Sequence, residues 1–142
     1  MTPDPITVIQ NFIQEVNESP KVDFVENYLS TDFRAHGSAG ELDGKTDRDK
    51  VKDFLEDLRE GLSDLSVRVL VEFSKEELVA TVSEYSGIHD KGPLWGVAAT
   101  GNSISFLAIG INKVKDGRVV EHWGLFDSAA LASQLASGDE IN

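Results

Sequence analysis

The sequence predicts an α+β fold in which a curved antiparallel sheet, closed by N-terminal helices, forms a cone-shaped barrel with an interior pocket. This prediction is based on two patterns of apolar residues. Apolar residues recur at helical spacing in the N-terminal part of the chain, and they alternate at strand spacing from Ser66 to Leu125. Because helices and strands are segregated along the chain, the helices are expected to cover one side of the sheet. The length of 142 residues fits one domain over residues 1–142.

Three helices and one short strand are predicted before the long strands. Residues 5–18 carry an apolar stripe at helical spacing, and a proline at the first of these positions suits a first turn. A second helix is predicted over residues 22–29, and a first strand over Phe33–His36. A glycine-containing loop, Gly37–Gly44, then leads to a third helix over residues 46–62, which begins at an N-cap threonine.

Four longer strands complete the predicted sheet. They are rich in Val, Thr and Tyr, as strands prefer, and Asp116–Gly117 is typical of a tight hairpin turn. The stretch Asp90–Gly101 contains too many glycines and prolines for regular structure and is expected to be a long excursion between strands. Asp127 can cap a short C-terminal helix. The strands are predicted over residues 66–75, 78–89, 103–115 and 118–125.

Composition narrows the possible partners. The formal charge of −12 and the absence of a basic stripe argue against nucleic acid and anionic membranes, because both would be repelled. The chain has no cysteine, and the spacings typical of metal sites, nucleotide-binding loops and serine hydrolases are missing. The N-terminus has neither a basic nor an apolar leader segment, so a soluble, cytoplasmic protein is expected.

Three local signatures occur in order along the chain. They are Phe33–Gly37 on the first strand; Ser86–His89 with Trp95–Gly96 and Thr100–Gly101 around the excursion; and Asp116–Trp123 with Asp127 beyond it. In this order and spacing they resemble those of the SnoaL-like polyketide cyclases, also called ester cyclases, within the superfamily of cone-shaped α+β barrels related to the nuclear transport factors. The resemblance covers residues 5–136.

This resemblance implies a homodimer that closes a ring in a polyketide ester by intramolecular aldol chemistry, without a metal or an organic cofactor. In the characterised cyclases the acid/base group is a carboxylate two residues after the histidine of the motif. The matching position here is Gly124, so the usual carboxylate is missing. Because the superfamily also includes isomerases, dehydratases, hydrolases and non-catalytic binding domains, the fold alone does not choose the reaction.

All three histidines of the chain fall within the three signatures, and they are candidates for acid/base chemistry because imidazole exchanges protons near neutral pH. His122 is the expected base or polarising group, and His36 is expected to assist it. Asp127 is a further catalytic candidate, although capping a helix is sufficient to explain it and is the favoured interpretation. His89 is expected either to contact ligand or to form a structural hydrogen bond within the sheet.

The pocket lining is expected to include Phe33, Trp95 and Gly124. His122 and Gly124 share a strand face, so both should point into the pocket or neither. Trp95 suits either a lid over the pocket or an anchor that packs the excursion. Either Glu84 or Tyr85 must face inward, while the strand parity assigns Trp123 to the core or to a dimer interface.

Three functions follow from these residues. The leading hypothesis is a small-molecule enzyme that acts on a hydrophobic carbonyl compound by proton transfer. The second is a non-catalytic module for ligand binding or dimerisation, which has kept the cone and lost the carboxylate. The third is a hydratase or isomerase that uses Asp127.

Overall fold

The computed structural model describes residues 2–37 and 45–136. Most of the predicted loop Gly37–Gly44 therefore lies outside the described residues. The described part contains four helices and five strands in the order α1 (Pro5–Glu18), α2 (Val25–Tyr28), β1 (Leu29–Gly37), α3 (Asp47–Gly61), β2 (Ser63–Lys75), β3 (Leu78–Ile88), β4 (Ser103–Lys115), β5 (Arg118–Phe126) and α4 (Ser128–Ala136).

Capping side chains explain where the two long helices begin. Asp4 accepts a hydrogen bond from the backbone N–H of Thr7 at the start of α1, and Thr46 does the same for Asp49 at the start of α3. Each bond satisfies a backbone donor that the first helical turn leaves without a partner. The predicted N-cap at Thr46 is thus confirmed.

The second helix and the first strand differ from the prediction. Helix α2 is a single turn, and the strand begins at Leu29 rather than at Phe33. The cause is pairing over a long sequence distance, because Leu29 lies in register with Val119 of β5. Such pairing outweighs the helical spacing of the short apolar segment before it.

The sheet is mixed rather than purely antiparallel, in the order β1-β5-β4-β3-β2. The pairs β2–β3, β3–β4 and β4–β5 are antiparallel, as predicted, whereas β1 runs parallel to β5. No hairpin joins β1 to β5, so no turn imposes an antiparallel arrangement on them. The sheet is curved and stays open between β1 and β2, and the helices cover its concave side, which gives the expected cone fold.

The predicted connections fall where expected. Asp116 and Gly117 join β4 to β5 with φ values of 52° and 80°, the pair of positive angles that a tight hairpin of this type requires. Between Ile88 and Ser103 the chain forms no strand, apart from one isolated bridge that pairs Leu94 with Val97. The long excursion is therefore confirmed.

Two groups of buried side chains form the core, and they meet at α3 and β3. One group packs α1, α2 and β1 against the sheet, and the other packs the excursion and α4 against β4. Phe54 and Tyr85 pack against both groups, which makes the interior continuous.

None of the helices in the described residues is long and apolar enough to cross a membrane. The assignment of all 142 residues to one domain stays a prediction.

Asn17 attaches helix α1 to the edge of the sheet. Its side-chain Nδ2 donates to the carbonyl oxygen of Val67 at 2.9 Å, and its Oδ1 accepts from the N–H of Val67 at 2.8 Å. Val67 is only 3% exposed and lies on the edge strand β2. The amide of Asn17 therefore takes the place of a neighbouring strand for this one residue.

Asn17→Ala is expected to lower the free energy of unfolding by about 1–2 kcal/mol, because it leaves both backbone groups of Val67 without their partner. Asn11→Ala is the matched control, since it makes the same change at an exposed position of the same helix. Urea denaturation of both variants measures the difference. Equal effects of the two substitutions would contradict the proposed role of the Asn17 amide.

Candidate functional site

A cavity of about 380 Å³ lies between α1, α3 and the concave face of the sheet. Its helical side is mainly apolar, with Phe12 and Phe54 among its lining residues, and Phe33 adds a buried aromatic ring from β1. Polar groups come chiefly from the strands. Those that the cavity exposes on β3, β4 and β5 are Thr81, Ser83, Tyr85, Asn112 and His122. Such a mixture suits a mostly hydrophobic molecule that carries a few polar atoms.

His122 is held in one orientation by its neighbour on β4. Its Nδ1 lies 2.8 Å from Oδ1 of Asn112, and the two residues are directly paired in the β4–β5 register. With the Asn112 amide placed so that its oxygen faces the ring, this bond has Nδ1 carrying the proton and donating it. The lone pair of the neutral ring is then at Nε2, the atom that a general base uses.

The environment of His122 keeps the ring neutral. Burial lowers the pKa of His122 below its usual value of 6.5, and the nearby charge of His36, when protonated, lowers it further. A neutral imidazole at pH 7 can accept a proton, whereas a charged one cannot. In the free protein, His122 is therefore in the form of a general base and not of a general acid.

Gly124 makes room for the imidazole. A Cβ atom added at Gly124 would lie 2.2 Å from Nε2 of His122, and one added at Gly110 would lie 2.8 Å from Cε1. Gly110 and Gly124 are paired across β4 and β5, so the ring rests on a floor of two glycines. The space that a side chain at position 124 would need is thus filled by the His122 ring.

The structure separates His36 from His122. In the parallel β1–β5 pairing, His36 is in register with Trp123 and Ala35 with His122, so the two histidine side chains leave opposite faces of the sheet. His36 borders the cavity, but its ring stacks on Trp123 with centroids 5.5 Å apart. Its Nε2 lies 2.7 Å from the carboxylate of Glu121.

The remaining two polar candidates have structural partners. Asp127 accepts from the N–H of Ala130 at 3.0 Å and so caps α4. His89 is completely buried, its Nδ1 lies 3.1 Å from Oγ1 of Thr100, and its backbone bonds to Gly101 and Asn102. It therefore ties together the two ends of the excursion. Neither residue belongs to the described lining of the 380 Å³ cavity.

Trp95 lies at the border of the cavity. Its ring stacks on Phe54 and Phe126, with centroid distances of 5.7 and 6.4 Å, and its Nε1 donates to Asp57 at 3.1 Å. The side chain is nevertheless 43% exposed, and its backbone has a φ of 46°, a conformation that non-glycine residues rarely adopt. These contacts fit both an anchor and a lid.

The structure also shows which of Glu84 and Tyr85 faces inward. Glu84 points to the outer face, where it pairs with Arg68 at 2.8 Å, and Tyr85 lines the cavity. Burial raises the pKa of Tyr85 to about 12, so its hydroxyl stays protonated and can donate a hydrogen bond.

A row of hydroxyl groups along β3 was not predicted from the sequence. Thr81, Ser83 and Tyr85 are each two residues apart and all line the cavity, with a spacing of roughly 6.6–6.8 Å along the strand. Thr81 is paired with Gly110, on which the His122 ring rests. The alternation of Thr, Ser and Tyr in the sequence is the signal that could have revealed this row.

Within residues 2–37 and 45–136, no three or more His, Asp and Glu side chains are placed where they could share a metal ion.

Comparison with known proteins gives one family model and several solved structures of the same fold. A family model described as SnoaL-like polyketide cyclase matches residues 7–135 of the chain. Among solved structures, IdmH of Streptomyces antibioticus, described as a proposed polyketide cyclase, is 24% identical, with a TM-score of 0.78 over 94% of this chain and 99% of that chain. TsrD of Streptomyces laurentii is 20% identical, with a TM-score of 0.78 over 93% of this chain and 94% of that one.

A third solved structure has a different description. AclR of Streptomyces galilaeus, a proposed hydroxylase, is 22% identical, with a TM-score of 0.79 over 94% of this chain and 81% of that chain. The comparison with curated proteins gives no match. At these identities the solved structures establish a shared fold, and a shared fold is compatible with more than one reaction.

Proposed function

The chain belongs to the SnoaL-like polyketide cyclase family, and we propose that it is a small-molecule enzyme in which His122 is the general base. The substrate class is a hydrophobic carbonyl compound. The observation that supports the proposal most directly is the position of the His122 ring. The ring lies over Gly124, its Nδ1 is bonded to Asn112, and its lone pair is left at Nε2. In this chain the imidazole thus replaces the carboxylate that the family carries at position 124.

The proposed reaction begins with proton abstraction next to a carbonyl group. Nε2 of His122 takes the proton from carbon, and the electron pair of that C–H bond moves to form an enolate. The enolate carbon attacks a second carbonyl group of the same molecule, which forms the carbon–carbon bond of a ring. The resulting alkoxide takes the proton back from the imidazolium, so the base is regenerated.

The hydroxyl row on β3 suits the stabilisation of the enolate oxygen. Thr81 is the nearest of the three in register to the imidazole, because it pairs with Gly110. A hydrogen bond from its hydroxyl would favour the enolate over the ketone, since charge develops on oxygen only as the proton leaves. Ser83 and Tyr85 can bind further oxygens of the same molecule. Asn112 is a positioning residue that fixes the tautomer of His122.

Solvent deuterium exchange tests this proposal without knowledge of the natural substrate. Aryl alkyl ketones and aryl β-keto esters are incubated with the protein in D₂O, and NMR follows the loss of the C–H signal next to the carbonyl. The proposal predicts exchange well above the rate without protein for at least one compound class. Binding of the compounds with no exchange above background would favour the non-catalytic ligand-binding module.

The isomerase or hydratase that uses Asp127 has less support. The carboxylate of Asp127 caps α4 and does not belong to the described lining of the cavity. An isomerase that uses His122 differs from the cyclase only in the final step, where the proton returns to a different carbon atom.

We further propose that the reaction needs no cofactor and that the protein is located in the cytoplasm.

We also propose a homodimer that covers the outer face of the sheet. Five large apolar side chains on β4 and β5 project from this face and are between 40% and 68% exposed, namely Leu107, Ile109, Ile111, Trp123 and Leu125. Ile109 pairs with Leu125 and Ile111 with Trp123, so they form one continuous patch. A patch of this kind needs cover, and two copies related by a twofold axis provide it with identical surfaces.

Leu125→Asp is expected to convert the dimer into a monomer, because it places a charge in the centre of the apolar patch. Light scattering coupled to size-exclusion chromatography measures the mass. The control is Leu70→Asp on the distant edge strand β2, where the leucine is 46% exposed. A wild-type protein of monomeric mass would contradict the proposed dimer.

A further inference from the structure

A second, larger depression of about 810 Å³ lies between the excursion and helix α4. We call it the α4 groove. Small side chains form much of its lining, including Ala98 and Ala99 of the excursion and Ala132 of α4. Leu131 and Leu135 supply buried apolar surface at its base.

The α4 groove and the inner cavity meet at an aromatic boundary. Trp95 and Phe126 line both spaces, and the Trp95 ring is 43% exposed. Because the same two rings border both spaces, a molecule that reaches Trp95 from the inner cavity also borders the α4 groove.

The two spaces differ in charge. The inner cavity is bordered by Lys50, Asp53 and Asp57, whereas no charged side chain is among the described residues that line the α4 groove. Its polar lining is limited to hydroxyl groups such as those of Thr100 and Ser128, beside backbone. An uncharged apolar group would therefore lose water there without leaving a buried charge unpaired.

We propose that the α4 groove binds an apolar extension, an alkyl chain or a further ring, of the same uncharged ligand whose carbonyl group lies in the inner cavity. The inference rests on the proposed function only for the position of the carbonyl group. The inner cavity alone is near the lower limit for small-molecule sites, which usually measure about 300–1,000 Å³. Together the two spaces suit an elongated substrate and give preference to long molecules over short ones.

A homologous series of ketones tests this inference by calorimetry. The probes are 2-acetonaphthone and naphthyl ketones whose acyl chain is lengthened one methylene at a time. Once the chain passes Trp95, each further methylene is expected to lower the Kd about fourfold, the ratio that corresponds to about 0.8 kcal/mol per buried methylene. A Kd that stops improving with chain length in the wild-type protein would overturn the proposal.

Substitutions in the two walls of the groove show where the chain binds. Ala132→Phe on α4 and Ala98→Phe on the excursion are each expected to abolish the gain for long homologues and to leave the Kd of 2-acetonaphthone within about twofold. Ser133→Phe, at an exposed position of α4 outside the described groove lining, is the control and should keep the gain. An undiminished gain in both groove variants would overturn the proposal.

The same series separates this inference from the proposed reaction. A gain with chain length that the groove substitutions remove, in a protein that shows no deuterium exchange, would support the groove and contradict the base. Exchange on short ketones without any gain for long ones would support the base and contradict the groove.

Discussion

His122→Ala is expected to lower kcat/KM for deuterium exchange by about 10²- to 10⁴-fold, the usual contribution of a positioned general base. The reason is that this substitution removes the lone pair at Nε2, which the bond from Nδ1 to Asn112 leaves free. The fold should persist, since the side chain bonds to one residue, Asn112. Circular dichroism and calorimetric ketone binding check that the variant still folds and binds.

The pH dependence gives a second readout of the same prediction. Because burial lowers the pKa of His122 below 6.5, the ring stays neutral as pH falls through 6.5. The acid limb of the profile of kcat/KM should therefore lie below pH 6.5, and activity should be lost as the lowered pKa is passed. His122→Ala should remove this limb together with the activity.

His36→Ala is the matched control for His122→Ala. The two rings lie on opposite faces of the sheet, and His36 affects His122 through its charge. Removal of that charge should move the acid limb upward, toward pH 6.5, with little change in the plateau. A loss on the plateau as large as that of His122→Ala would instead support a direct catalytic role for His36. An unchanged rate in His122→Ala would exclude the histidine mechanism.

Gly124→Ala is expected to cause a loss of activity approaching that of His122→Ala, although it adds a single methyl group. The new Cβ would lie 2.2 Å from Nε2 of His122, well inside van der Waals contact, so the imidazole must turn away from its seat. Gly110→Ala is the graded comparison, because its Cβ would approach Cε1 at 2.8 Å and leave Nε2 less disturbed. Its loss should be smaller.

A double substitution tests whether the imidazole stands in for the family carboxylate. His122→Ala removes the ring, and Gly124→Asp then places a carboxylate in the vacated space. The double variant is expected to recover at least tenfold of the activity that His122→Ala loses, while Gly124→Asp alone is expected to stay low because both groups compete for one place. If Gly124→Ala kept full activity with the fold intact, this would contradict the claim that Gly124 leaves the space in which the active His122 ring lies.

Local patterns in the sequence were sufficient to predict the position of most strands of the sheet. Alternation and turn chemistry placed β2 to β5, and Asp116–Gly117 fixed the hairpin between the last two strands. The direction of β1 was not accessible in this way, because its partner β5 lies far along the chain and no turn joins them. The early start of β1 at Leu29 was missed for the same reason.

The candidate site, too, could be predicted from the sequence only where neighbouring residues of one strand determine it. That His122 and Gly124 share a face followed from their spacing, and the structure agrees. That His36 projects from the other face depends on the register of two strands that are distant in sequence. The bond from His122 to Asn112 also joins two strands, so the tautomer that makes Nε2 a base could be derived only from the structure.

Nitrogen-15 NMR of the imidazole ring measures the protonation state of His122 in the free protein directly. If His122 is the base, the ring is expected to be neutral at pH 7, with the proton on Nδ1 and an unprotonated Nε2, and to become charged only below pH 6.5. A proton on Nε2 at pH 7, in either a charged or a neutral ring, would contradict His122 as the base.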